Sequence, residues 1–317
     1  MKREEKIGYI SGILSTAIMG FSFYFSKLAL NELNNKVFDL LSYRFLVSAL
    51  GILFLWKFKF IKLKFRDKNI KLLLIMCFVQ PVAYFIAEAT GLSMVASSEA
   101  GLIMALLPVV IVAMGMVFLG ERVSLKQTTF IIISIGGALF INIMGYTPGH
   151  SSNIGRIILL LAVIIGATYS ILMRKLSEEF TPMERTTAMM LVGAFMFSLI
   201  AAIENIYNGT FNEYIIGFFN IKLLIPLLFL GLGSSLIAMY LMNTAYTYLE
   251  VTKMSIVTNI ITVVSIFAGV ILLKERFYWY HILGTVLILA GCIGSSLDKK
   301  DEIGYIEDEE QNNLKEV

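Results

Sequence analysis

The sequence is poor in charge. Only 15% of its 317 residues are Asp, Glu, Lys or Arg, whereas a soluble domain carries about 25%. So few charges cannot cover a water-facing surface for a chain of this length. Cysteine is scarce too. The two present, Cys77 and Cys292, lie inside apolar runs without CxxC spacing, which argues against a disulfide framework or a zinc site. The two histidines, His150 and His281, each stand alone at the edge of an apolar run and read as interfacial residues rather than ligands. There is no Walker A loop, so ATP-driven transport within this chain is not expected. HExxH, GxSxG and paired-aspartate motifs are also missing from the apolar runs. No enzyme activity, cofactor or metal is expected.

What the chain has instead is apolar length. Its residues are 57% hydrophobic and its mean hydropathy is +0.79. The charges cluster between apolar runs of about 20 residues, the length that crosses a bilayer as helix. Ten runs are expected, at about 7–28, 37–56, 70–92, 100–120, 127–145, 154–173, 187–206, 223–246, 254–273 and 279–297. The first begins at Ile7 after Met-Lys-Arg-Glu-Glu-Lys and continues to Leu28 without a small-residue cleavage site. It reads as a permanent span rather than a signal peptide. Residues 298–317 are acidic and polar and read as a disordered cytoplasmic tail.

Orientation follows from the basic residues. With the N-terminus in the cytoplasm, 19 of the 26 Lys and Arg fall on the inner side and 7 on the outer. The positive-inside rule therefore puts both termini in the cytoplasm of a cell-membrane protein. The densest basic group runs from Lys57 to Lys71. Between two spans it reads as an inner loop touching anionic headgroups, not as a nucleic-acid patch. The expected partners are the lipid bilayer and a small-molecule substrate, with no nucleic acid.

An internal repeat sets the architecture. Leu106-Leu107-Pro108, Gly120-Glu121-Arg122 and Ile135-Gly136-Gly137 return as Thr262, Lys274-Glu275-Arg276 and Leu289-Ala290-Gly291. Glu121 and Glu275 are 154 residues apart, as are Gly137 and Gly291. Five spans per copy is an odd number, so the second copy enters the membrane upside down. The expected fold is an all-α integral membrane protein of ten transmembrane helices in two inverted five-helix repeats, residues 1–148 and 149–297. Secondary transporters are commonly built this way, with the substrate site near the midplane between the repeats. The Glu-Arg pairs lie at span ends and are expected to fix the tight turn between consecutive spans.

These residues resemble the EamA-type family of the drug/metabolite transporter superfamily over residues 7–297. The matching positions are Gly20 and Lys27, Arg44-Phe45, Pro108, Gly120-Glu121-Arg122 and Gly136-Gly137, then Arg174, Glu275-Arg276, Gly284 and Gly291. The chain departs from the family pattern at Met19 and Gly166, where a tryptophan is usual. It departs again at Thr262 for proline and Lys274 for glycine. The resemblance implies a ten-span carrier, of a family in which many members export amino acids or other small metabolites.

Candidate substrate-binding residues are the polar side chains within spans, which are costly in lipid and usually face a cavity or another helix. Gln80, Tyr84 and Glu88 recur at i, i+4 and i+8 and so share a helical face. Glu88 is the only carboxylate well inside a span in the first half. It fits two roles: a proton-titrating or amine-binding group in a cavity, or a wet interfacial acid paired with Lys27 or Arg44. In the ninth run, Ser255, Thr258, Asn259, Thr262 and Ser265 form a polar stripe opposite the repeat-related Met104 and Pro108. The hydroxyls equally suit hydrogen bonding between helices, whereas Asn259 favours the cavity. Tyr240, Asn243 and Thr247 share a face in the eighth run, and Tyr169 stands beside Ser170 in the sixth. Ser22 belongs to a stripe with Ser11, Ser15 and Ser26, accompanied by a Gly8-xxx-Gly12 pair that suggests close packing. Pro108 is a possible hinge. The expected function is a secondary transporter of small metabolites, an exporter working by alternating access. An importer of a sugar or nucleobase-like solute, or a non-transporting sensor or scaffold, are the alternatives.

Overall fold

The computed structural model describes residues 3–66, 68–94, 103–104, 106–121, 123–144, 152–272 and 278–297. The tail at 298–317, Arg122, Glu275-Arg276 and His150 lie outside the described residues. So do Ala105 and the side chain of Lys27.

Among the described residues all regular structure is helical. Six helical stretches are long and apolar enough to cross a membrane: Arg3–Glu32, Val37–Lys57, Ile70–Glu88, Asn153–Leu176, Pro182–Tyr207 and Ile221–Tyr248. Shorter apolar helices, Leu107–Leu119, Leu125–Ile141, Val251–Ser265 and Trp279–Gly294, fall in the remaining expected runs. In chain order we label α1 Arg3–Glu32, α2 Val37–Lys57, α3 Ile70–Cys77, α4 Tyr84–Met94, α5 Leu107–Leu119, α6 Leu125–Met144 and α7 Asn153–Leu176. Then follow α8 Pro182–Tyr207, α9 Phe211–Phe218, α10 Ile221–Leu228, α11 Met239–Tyr248, α12 Val251–Thr258, α13 Ile260–Leu272 and α14 Trp279–Leu297.

Two of the spans are interrupted at matched places. A π-helical segment, Phe78–Ala83, joins α3 to α4, and another, Phe229–Ala238, joins α10 to α11. In the first, Pro81 has no N–H to give the preceding turn, and Gln80 leaves helical geometry at φ −146°, ψ 128°. The two interruptions begin 151 residues apart, and the helices leading into them begin alike. Asn69-Ile70-Lys71-Leu72-Leu73 returns as Asn220-Ile221-Lys222-Leu223-Leu224. Each asparagine side chain caps its helix, accepting from Leu72 N at 3.1 Å and from Lys222 N at 3.0 Å.

The bundle pairs its helices twice over. α1 packs on the α10–α11 span and on α13, while α7 packs on the α3–α4 span and on α5. α2 lies against the second π segment, and α8 against the first. The pairs α2–α8 and α6–α14 join matching helices of the two copies, and α5 packs on α12. Each repeat thus covers the other's apolar faces, and the two interleave.

The seam between α6 and α14 shows the relation at atomic detail. A Cβ on Gly137 would lie 2.8 Å from Gly284 O, and one on Gly291 would lie 2.6 Å from Phe130 O. The 154-residue step carries Gly137 to Gly291 and Phe130 to Gly284, so these are two copies of one close approach. Such contacts let membrane helix backbones meet where no hydrophobic force drives them together.

Glu121 does more than close its turn. Gly120 adopts φ 66° as the helix cap, a conformation open to glycine, and Glu121 N bonds to Gly115 O at 3.3 Å. The carboxylate then accepts from Val251 N at 2.6 Å, Thr252 N at 2.8 Å and Thr252 Oγ1 at 2.5 Å. It caps α12, in the other repeat, where a negative charge suits the free N–H groups.

Gly137→Val forces a side chain against backbone that cannot yield, and overpacking of this kind costs about 1–3 kcal/mol. Thermal unfolding in detergent is expected to show a clear loss of stability for Gly137→Val. Gly136→Ala, whose Cβ meets nothing within 4 Å, is expected to unfold like the parent.

Candidate functional site

The polar centre of the bundle forms where the interrupted spans meet α2. Arg44 stands two turns into α2, deep in an apolar helix, where a guanidinium needs several acceptors to offset its lost hydration. Its Nε donates to Ser235 Oγ at 2.6 Å and its Nη2 to Ser234 Oγ at 3.1 Å. Both serines belong to the second π segment. The guanidinium carbon also lies 5.7 Å from the Phe85 ring centre and 6.0 Å from that of Phe45, within cation–π range. Phe45 stacks on Phe197 with centroids 5.3 Å apart, and Phe85 meets the same ring edge-on at 6.3 Å. The charge therefore sits on an aromatic wall drawn from α2, α4 and α8.

One turn beyond Phe85, Glu88 Oε1 accepts from Tyr84 Oη at 3.1 Å. Arg44 faces the Phe85 ring one turn before Glu88, and among the described residues no salt bridge joins the two charges. The tyrosine ring is held against α7 at Gly166, whose Cβ would fall 3.2 Å from Tyr84 Cε2. Opposite charges, three hydroxyls and an aromatic wall are thus drawn from both repeats. An arrangement of this kind can engage an anionic group at Arg44 and a cationic or proton-donating group at Glu88.

The second interruption also has carbonyls answered from outside. Ser48 Oγ donates to Gly231 O at 2.8 Å, and Ser15 Oγ donates to Ala238 O at 2.7 Å. At 151 residues, Gly231 is the counterpart of Gln80.

The structure brings Tyr84 and Glu88 together and places the other sequence-predicted residues elsewhere. Gln80 lies at the break before Pro81, so the helical face expected to join it to Tyr84 is interrupted. Ser22 Oγ donates to Met19 O within its own helix at 2.6 Å. Met104 packs on Leu159, and Tyr169, buried, points its hydroxyl at Met189 Sδ, 3.8 Å away. Tyr240 is exposed on the same outer side as Ile237 and Tyr248. Asn243 is buried and donates to Thr186 Oγ1 at 2.7 Å. Ser255 Oγ donates to Thr252 O at 2.7 Å. Asn259 separates α12 from α13 and donates to Ser134 Oγ of α6 at 2.9 Å. Thr262 is partly buried on α13. Pro108 is the second residue of α5, a position where its missing N–H costs nothing.

Several polar residues were not anticipated as a group. Arg185, expected in an inner loop, is fully buried and donates to Met173 O, Asn243 O and Thr247 Oγ1 at 2.9, 2.8 and 2.5 Å. It ties α7, α8 and α11 together. Asp39, a second carboxylate of the first half, is buried near the start of α2 and accepts from Asn205 Nδ2 at 2.6 Å. Ser234-Ser235 in an apolar run, and the doubled Asn-Ile-Lys-Leu-Leu, were the signals available in the sequence.

A helical bundle whose interleaved repeats hold interrupted spans around a polar centre has the build of a multi-pass membrane transporter. Comparison with known proteins narrows the class. The pattern of the EamA-like transporter family matches residues 6–143 and again residues 153–297, so the chain belongs to that family and is a transporter in a lipid bilayer. It is similar to uncharacterized transporter YcxC of Bacillus subtilis (strain 168), with 32% identity over 303 residues, 94% of this chain and 95% of that protein. Uncharacterized transporter YetK of the same organism is 24% identical over 98% of this chain and 92% of its own length. A solved crystal structure shares the fold at TM-score 0.72 and 14% identity, covering 92% of this chain and 98% of that one.

Arg44→Met and Glu88→Gln each leave one charge without its distant partner. The double variant is expected to be more stable than the sum of the two single losses predicts, by about 0.5–3 kcal/mol. Unfolding of the three variants in one detergent measures that coupling, and strict additivity would show that the two groups act separately.

Proposed function

We propose that the protein is a secondary carrier of small amphipathic metabolites, amino acids and related compounds, that works outward by alternating access. One observation carries the reading: two interrupted spans, one from each repeat, supply the partners of Arg44 and the acid at Glu88. Broken membrane helices around a midplane site are the recurring way that carriers engage solutes with irregular backbone, and π segments gather at functional places. A solute bearing both an anionic and a cationic group matches Arg44 and Glu88, held apart by Ser234, Ser235 and Tyr84. Gln80, at the first break, and Asn259 and Thr262, at the separate joint between α12 and α13, are assigned to the path that the solute follows. Pro108, at the start of α5, and Asn259, between α12 and α13, are assigned as joints at which their own helices tilt.

The remaining topology completes the proposal. Ten helices cross the cell membrane, both termini face the cytoplasm, and residues 1–148 and 149–297 are the two inverted repeats. The excess of Lys and Arg on one set of loops supports this orientation.

Proteoliposomes loaded with a panel of amino acids and related zwitterions test the carrier reading. Substrate-dependent counterflow or efflux is expected for at least one zwitterion. No flux for any panel member under either gradient direction would overturn it. In the same vesicles Glu88→Gln is expected to remove the dependence of flux on the proton gradient while leaving the protein folded. An unchanged pH profile would reduce Glu88 to a structural role.

A further inference from the structure

The doubled Asn-Ile-Lys-Leu-Leu segment has two fates. In the second copy, Lys222 pairs with Glu32 at 3.5 Å, and the groove beside the segment holds about 240 Å³. In the first copy the groove holds about 820 Å³ and runs along one face of the α3–α4 span. Lys71 stands at its head, and Leu74, Phe78, Val82 and Ile86 line its length. From Lys71 to Ile86 the helical rise is roughly 22 Å, close to the depth of one bilayer leaflet and somewhat beyond it. The face is apolar below its first residue and carries the cation only at its end.

The segment that leads into α3 adds charge at the same end. Lys57, Lys59, Lys62 and Lys64 are exposed, while Ile61 and Phe65 between them pack on the core. The segment is held in place rather than trailing. Glu184 accepts from Lys64 N at 2.9 Å and pairs with Lys68 Nζ at 2.5 Å, and Asn69 N donates to Glu179. Trp56, Phe58 and Phe60 are exposed beside these lysines, the residue mix of a membrane interface.

We propose that this groove binds an anionic phospholipid, with an acyl chain along the α3–α4 face and the headgroup phosphate at Lys71 and the neighbouring lysines. Charge complementarity selects the occupant. A zwitterionic lipid fills the apolar length equally well but gains little from the cations, whereas each lysine near an anionic surface favours it about fivefold. The repeat supplies an internal contrast, since Lys222 is already matched by Glu32 and its groove is smaller. The occupied leaflet is the inner one under the orientation proposed above, but the site itself does not rest on that orientation or on transport.

A single-tryptophan reporter tests this. In full-length Trp56→Phe/Trp279→Phe/Phe78→Trp protein, the only tryptophan lies in the groove. It is reconstituted in phosphatidylcholine vesicles containing a small fraction of either phosphatidylglycerol or phosphatidylcholine with dibrominated acyl chains. Phosphatidylglycerol is expected to quench at several-fold lower mole fraction. Lys71→Gln with Lys62→Gln and Lys64→Gln is expected to abolish the difference, and these exposed positions leave folding, checked by circular dichroism, unchanged. Equal quenching by the two lipids, or a preference that survives the triple lysine change, would overturn the proposal. A reporter that fails to fold is replaced by Val82→Trp in the same background, read against the same outcomes.

Discussion

In a bilayer every backbone N–H and C=O must find its partner inside the protein, because lipid offers none. The rest of this structure depends on how that demand is met where spans are broken. Uninterrupted helices such as α2 and α8 meet it alone. Where the α10–α11 span turns π-helical, partners come from neighbouring helices as well. Ser48 of α2 reaches Gly231 O and Ser15 of α1 reaches Ala238 O. A break is tolerated only where another helix can answer it, so the breaks fix which helices pack together. Interleaving of the repeats follows from that, since α1 and α2 both serve a span of the second repeat.

The same constraint governs the charges. Burying Arg44 with one weak neighbour would cost several kcal/mol. Here two serine hydroxyls and two ring faces share the work. Ser234 and Ser235 can do so because the π segment turns them toward α2. The irregular backbone and the buried cation are therefore two sides of one arrangement, each of which would be unstable without the other. Arg185 answers the same problem differently, donating to backbone carbonyls of α7 and α11 and to the Thr247 hydroxyl. It has the character of a clamp between α7, α8 and α11.

Much of the fold was legible in the sequence because its signals are local and additive. Apolar length marked the spans, and the recurrence of Gly137 at Gly291 marked the repeat. The site was legible only in part. Tyr84 and Glu88 lie on one short helix, so periodicity found them together. Gln80 was grouped with them by the same rule, which presumes an unbroken helix, and Pro81 breaks it. Arg44, Ser234 and Ser235 are about 190 residues apart; nothing in a linear pattern joins them. Glu121 was read as a turn residue because its nearest neighbours in sequence form a turn, while its carboxylate acts on α12, 130 residues away. Partnerships across the repeat interface are the part that composition and periodicity do not carry.

The two repeats agree in backbone and differ in side chain, and the difference is concentrated where the spans are broken. At the 151-residue step Tyr84 corresponds to Ser235, Glu88 to Met239 and Gln80 to Gly231. The acid comes from one copy and the hydroxyls that hold Arg44 come from the other. In the alternating access proposed above, the matched interruptions would give the two halves corresponding places to bend. Unmatched side chains give the centre a direction: under the proposed function, a solute with unlike ends would seat in only one sense between Arg44 and Glu88. Symmetry in the scaffold with asymmetry in the site is what a carrier of polar solutes requires, and either one alone would leave it without a path or without a preference.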